Sequence, residues 1–205
     1  MTFIKIFTTL LIISTFSSCT KKTFSNKEDL LAYIYNSNND YISSKTFDGI
    51  KVTALYKPKD LLINQEIYKE ITADELVVLR NKYKDYIYFQ INFEDILNKT
   101  NSNNRLEDRK FFESFNFKMK ELISLYSSNN EELKLIEYIS PRSFGIDRKR
   151  SVLLAFENNL NALKNSSYVT LRLNDFGLLN RSLRFKISTS KILNEPTLKF
   201  KTILN

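Results

Sequence analysis

Residues 86–93 read YIYFQINF, and this stretch decides the fold class. Ile87, Phe89, Ile91 and Phe93 alternate with Tyr86, Tyr88, Gln90 and Asn92. A period of two puts one set on each face of a strand, the apolar set toward a core. Further upstream, Asp48-Gly49 is a two-residue turn signal between Tyr41–Phe47 and Ile50–Lys57, so a hairpin is expected there. In its second arm Ile50, Val52, Ala54 and Tyr56 share one face, while Lys51, Thr53 and Lys57 share the other.

Helical signals flank these strands. Ser25-x-x-Glu28 resembles a capping box ahead of a helix over about 26–36. Pro58 stops the hairpin strand and can begin a helix over Lys59–Lys69. Thr72-x-x-Glu75 opens another, carrying Leu76, Val77, Leu79 and Arg80. The longest helix is expected over about 106–126. Phe111, Phe112, Phe115, Met119, Leu122, Ile123 and Tyr126 fall on one side of it at helical spacing, as a core face. Beyond it the pattern turns to short strands at 133–139, 151–156, 168–173, 183–188 and 197–202, separated by polar turns. The architecture predicted is α+β: an antiparallel sheet or sandwich with two to four helices, the long one packed on the sheet.

The first residues, MTFIKIFTTLLIISTFSSC, carry a different kind of information. Lys5 supplies one positive charge, Ile6–Phe16 form an apolar run, and Ser17 and Ser18 precede Cys19. This is the layout of a cleaved secretory signal. Only 15 residues separate Lys5 from Lys21, whereas a spanning helix takes about 20. The sequence FSSC resembles the lipobox of bacterial lipoproteins, with Phe16 at the position more often held by Leu. The resemblance implies cleavage before Cys19 and acylation of the cysteine. It divides the chain into a signal peptide at 1–18, a lipidated tether at 19–24 and a single globular domain at 25–205. One acyl chain holds a protein only marginally, and several make attachment lasting. Thr20, Lys21 and Lys22 follow Cys19, and no acidic residue occurs before Glu28. This resembles neither the aspartate that retains lipoproteins in an inner membrane nor the acidic run linked to surface export, so the default address, the periplasmic leaflet of an outer membrane, is expected. Further along, TFDGIKVTALYKPKDLLINQE, YIYFQINF, SFGIDRKRSVLLAFENN and NEPTLKF resemble an uncharacterised lipoprotein family of the Bacteroidota cell envelope. That likeness implies an envelope lipoprotein and carries no functional residue with it.

Composition narrows the chemistry. About 187 residues remain after the leader, enough for one domain with a full core. Cys19 is the only cysteine, so no intrachain disulfide can form. The chain contains no histidine, which removes the commonest general base and metal ligand. Catalytic triads, zinc sites and thiol proteases are excluded on these grounds, and no cofactor is expected. Three glycines leave no phosphate-cradling loop. The net charge of +8 suits anionic partners, although abundant Lys and Asn also follow from an AT-rich coding bias. Nucleic acid is not an expected partner outside the cytoplasm.

Two constellations remain. Ser188-Thr189-Ser190-Lys191 matches S-x-x-K, but its companion motifs fail, since Lys201-Thr202-Ile203 lacks the glycine of K-T-G. Paired carboxylates such as Glu94-Asp95 and Glu131-Glu132 leave open a carboxylate-based hydrolase. The most distinctive segment outside the core is SPRSFGIDRKR, residues 140–150, where Arg142, Arg148, Lys149 and Arg150 crowd around Phe144. Arg and aromatic side chains on a strand connection are common binding anchors, so this is the candidate binding loop. The functions expected are, first, a non-enzymatic scaffold or accessory subunit for an envelope partner protein. The second is a binding module for an anionic or carbohydrate ligand, and the hydrolase comes last.

Overall fold

The computed structural model describes residues 21–95, 113, 118–140, 149–175 and 181–203. The class is α+β, built on open antiparallel sheets rather than a barrel. The element order begins with β1 (Thr23–Phe24), α1 (Lys27–Tyr35), β2 (Ile42–Phe47), β3 (Ile50–Tyr56), α2 (Lys59–Glu66), β4 (Ile71–Thr72), α3 (Ala73–Tyr83) and β5 (Tyr86–Asp95). It continues with α4 (Met119–Leu122), β6 (Ile123–Ser127), β7 (Glu132–Leu133), β8 (Leu135–Ile139) and β9 (Lys149–Glu157). The chain closes with α5 (Leu160–Lys164), β10 (Tyr168–Leu173), β11 (Leu183–Ser188), α6 (Thr189–Leu193), β12 (Thr197–Leu198) and β13 (Thr202–Ile203).

The five-stranded sheet runs β2-β3-β5-β9-β8, with YIYFQINF at its centre. The hairpin turns where predicted: Asp48 and Gly49 both have positive φ, 47° and 81°, as a type I′ turn requires. Register then sorts the side chains. Val52 faces Phe93, Ala54 faces Ile91, Tyr56 faces Phe89, and Phe89 faces Leu154. All of these are buried. The four-stranded sheet runs β11-β10-β6-β7, and Leu125, Leu171 and Phe185 lie side by side on its buried face. Both inner faces contribute to one apolar cluster. Glu132–Ile139 passes from one sheet to the other, pairing with β6 through β7 and with β9 through β8. A bulge between Leu135 and Glu137 accommodates the switch. Cation–ring contacts tie the sheets together at another corner, Lys45 over Phe185 at 5.7 Å and Arg181 over Phe47 at 4.6 Å.

The long helix expected over 106–126 requires correction. Residues 106–112 and 114–117 lie outside the described residues; helix α4 ends at Leu122, and Ile123–Ser127 is strand β6. Ile123, Leu125 and Ser127 are buried while Ser124 and Tyr126 are half-buried. That is a period of two, fixed by pairing of Leu125 with Leu171. In a run this short the apolar spacing fits both periods, and the tertiary partner decides between them.

Smaller differences have local causes. Helix α1 is capped by Asn26, one residue later than expected, because its side chain accepts from Asp29 N at 2.8 Å and donates to the Asp29 carboxylate at 2.8 Å. Helix α2 stops at Glu66, three residues early, where Ile67 turns extended. The box at Thr72 and Glu75 forms as predicted, both bonds present. The C-terminal segment does not join an antiparallel sheet. Its short strands pair in parallel, β12 with β1 and β13 with β4. Two carboxylates hold it there: Asp60 accepts from Leu198 N at 2.8 Å, and Glu195 accepts from the Tyr56 hydroxyl and the Lys59 ammonium, each at 2.8 Å. At the other end, β1 begins two residues before Ser25, so Thr23 and Phe24 belong to the folded body rather than to a free tether. A run of ring contacts, Phe24–Tyr33–Tyr41–Tyr56–Phe89–Phe156, links that strand to the middle of the core.

Candidate functional site: a tyrosine-lined groove

The alternation that buries Phe89 and Ile91 sends Tyr86, Tyr88 and Gln90 to the opposite face of the five-stranded sheet. Register extends that face across two more strands. Tyr88 lies opposite Ala155 and Ala155 opposite Glu137; Gln90 lies opposite Leu153 and Leu153 opposite Ile139. Side chains directly opposite on an antiparallel pair share a face, so these rows form a floor. Leu62, Gln65 and Glu66 of α2, Lys82 and Tyr83 of α3, and Tyr68 after α2 supply the wall. Between them lies a groove of about 590 Å³. Its rim carries Tyr68, 91% exposed, with Ile136 and Ile139 at 42% and 54%. Apolar side chains that open to solvent around one concavity are a mark of binding surfaces.

The tyrosines stand at angles to one another. Tyr83 and Tyr88 have ring centroids 5.7 Å apart, Tyr86 and Tyr88 6.2 Å, each pair inclined at 63°. Polar groups anchor the wall: Glu66 accepts from Lys82 Nζ at 2.6 Å and from the Tyr83 hydroxyl. Those two hydrogen bonds hold the Glu66 carboxyl below its ordinary range. Tyr83 and Tyr88 are pushed up, chiefly by burial. The Glu66 carboxylate adds to the effect on Tyr83, and Tyr86 and Glu137 add to that on Tyr88. A carboxylate held ionised by a neighbouring ammonium serves recognition better than general acid catalysis, which needs a proton retained near neutral pH. Among the described residues no group of three or more acidic or cysteine side chains could hold a metal ion.

Of the binding residues expected from sequence, only Lys149 and Arg150 are described. Arg142, Phe144 and Arg148 lie outside the described residues. Lys149 and Arg150 are not loop residues: they begin β9, opposite Glu94 and Phe93. Arg150 is half-buried and lines a second groove of about 430 Å³ with Lys51, Thr53, Asn92 and Ser151. The Ser188-x-x-Lys191 spacing does not assemble a nucleophile. Ser188 Oγ pairs with Ser190 Oγ at 2.9 Å, while the Lys191 ammonium sits over the Tyr41 ring at 5.4 Å. Cys19 also lies outside the described residues. Among those described, no helix is long and apolar enough to cross a membrane.

The groove residues Tyr68, Glu66, Tyr83 and Glu137 were not singled out by sequence. The one available signal was the pair of tyrosines on the outer face of YIYFQINF, where a solvated face ordinarily carries Lys, Thr or Glu. Comparison with protein-family models, with curated proteins and with solved structures finds no significant match. The class defined by the fold and site is therefore an α+β open-sheet domain with an aromatic groove on the outer face of its larger sheet.

Proposed function

We propose that this chain is an envelope lipoprotein, anchored through a lipid on Cys19 in the periplasmic leaflet of an outer membrane. Its domain is a non-enzymatic scaffold or accessory subunit that holds a partner protein. The carrying observation is the groove: four tyrosines, with exposed Ile136, Ile139 and Tyr68 at its rim. Tyrosine supplies large contact area at low entropic cost, and buried aromatic anchors dominate protein interfaces. The anchor reading rests on the leader and on FSSC. It fits the first described strand at Thr23–Phe24, which would hold the domain within a few residues of the bilayer.

A second reading has one specific observation behind it. The groove lined by Lys51, Arg150, Asn92 and Ser151 offers cationic and amide groups suited to an anionic or carbohydrate ligand of the envelope. Salt separates the two by degree, because capture carried by several cationic groups weakens steeply as ionic strength rises, whereas docking dominated by apolar contact weakens far less.

The test uses the full chain at native level, extracted in mild detergent and captured by a C-terminal tag. One envelope protein should co-purify in near-stoichiometric amount and be lost from an Ile136→Asp/Ile139→Asp variant. Retention of that partner by the variant would exclude the groove. A Cys19→Ser chain should lose membrane retention and the mass of its acyl groups.

A further inference from the structure

One cation already lines the groove. Lys82 Nζ lies 2.6 Å from Glu66 Oε1 and 5.3 Å from the centroid of the Tyr83 ring. That ammonium is held by a carboxylate on one side and a ring face on the other, the pairing that binds aliphatic cations generally. A second carboxylate and two further rings stand across the floor. Glu137 and Tyr88 flank Ala155 in a single cross-strand row, with strands spaced by about 4.8 Å. Ala155 offers only a methyl group between them, so the row dips at its centre, between strands about two spacings apart, where Ala155 lines the groove. Tyr86 closes one side of it. Among the described residues no cation pairs with Glu137.

We infer that this dip takes a lysine or arginine side chain from an extended segment of the partner protein. Its aliphatic stem would lie over Ala155 and its charge between Glu137 and the half-buried ring of Tyr86, with the buried ring of Tyr88 behind it. The inference rests on the partner-protein reading above and adds the chemistry of the contact. Three features select a cation. Ring faces are electron-rich and attract positive charge. The carboxylate of Glu137 is exposed at the dip, complementary to an incoming ammonium or guanidinium. The rings meet at 63° and form angled walls, whereas a sugar ring seeks one flat, open aromatic platform. The flanking Ile136 and Ile139 suit apolar neighbours of the inserted residue in an extended peptide.

The test is a titration of the full chain in detergent micelles, its tyrosine rings labelled with carbon-13 and followed by NMR. The probes are n-butylguanidinium, its neutral isostere N-butylurea, and a cello-oligosaccharide. n-Butylguanidinium should shift the Tyr86 and Tyr88 ring signals saturably. N-Butylurea should bind at least ten-fold more weakly, and Glu137→Gln should weaken the guanidinium response by a similar factor. Glu137 is solvent-exposed, so that variant should melt with the parent chain. Equal responses to the charged and neutral probes, no saturable guanidinium response, or an undiminished response in Glu137→Gln would overturn the inference. So would saturable cello-oligosaccharide binding at the same rings. Co-purification of a groove-dependent partner without a guanidinium response would defeat this inference alone and leave the partner reading standing. A guanidinium response without a partner would leave the cation site and remove the protein as its source.

Discussion

Glu195 joins the C-terminal segment to the core, and its removal is the sharpest test of how this fold is held. Its carboxylate accepts from the Tyr56 hydroxyl at 2.8 Å, from Lys59 N at 3.2 Å and from Lys59 Nζ at 2.8 Å. The Lys59 and Glu195 side chains are 16% and 13% exposed, so solvent screens the pair poorly. In Glu195→Ala the buried Tyr56 hydroxyl loses its acceptor, which costs about 1–3 kcal/mol. The Lys59 ammonium is left uncompensated as well, and breaking a buried pair this way costs about 3–5 kcal/mol. The two costs overlap, and Lys59 retains a path to water, so the expected loss is about 3–4 kcal/mol. That is a large part of the roughly 5–15 kcal/mol of a typical domain. Glu195→Gln keeps a neutral acceptor for Tyr56 and should lose about half as much. Lys59→Met placed on Glu195→Ala should recover stability, because the orphaned charge is gone. The chain has no tryptophan, so urea unfolding is best followed by far-ultraviolet circular dichroism, with midpoint and slope fitted separately. A Glu195→Ala midpoint indistinguishable from the parent, or strict additivity with Lys59→Met, would refute the reasoning.

Stability should also fall at alkaline pH. Tyr56, Tyr83 and Tyr88 all titrate above their ordinary value of 10.0. The unfolded chain therefore loses these protons first, and their contribution is complete below pH about 10 and lost as pH rises beyond it. Urea midpoints measured between pH 8 and 12 should drop, and Tyr56→Phe should flatten the drop. At the acid end, Glu66 has its carboxyl pushed down by Lys82 and Tyr83. Its contribution is present above the ordinary carboxylate pKa and fades as pH falls through the lowered one, and Glu66→Gln should remove that portion of the acid dependence. Thr72→Ala deletes the acceptor for Glu75 N and should cost about 1 kcal/mol in the same urea assay. Phe89→Ala, between Tyr56 and Phe156 in the aromatic run and 0% exposed, should cost about 3–5 kcal/mol.

The sequence declared the larger sheet openly because its signals are local and redundant. YIYFQINF alternates without interruption, and Asp48-Gly49 admits one tight turn. Residues 123–127 were harder, since Ile123 and Tyr126 fit a helical stripe as well as a strand does. Only pairing with β10 settles their period. The parallel pairs at the chain ends had no sequence signature, because Asp60 and Glu195 act on partners more than 130 residues away. The groove was hidden for the same reason. Tyr88, Ala155 and Glu137 are ordinary residues at unremarkable positions until register brings them into one row. Of the basic segment at 140–150, legible by composition, Lys149 and Arg150 begin strand β9, and Arg150 lines the second groove.

The central claim is that the tyrosine groove is where a partner protein docks, and site-specific photo-crosslinking in cells tests it most directly. A crosslinking residue would replace Ile139 on the rim or, as a control, Thr46, exposed in the β2 strand at the far edge of the same sheet. Mass spectrometry would identify what each position captures. The account predicts one envelope protein, captured in high yield from position 139 and not from position 46, through a segment containing lysine or arginine. Equal capture of scattered neighbours from both positions would contradict it.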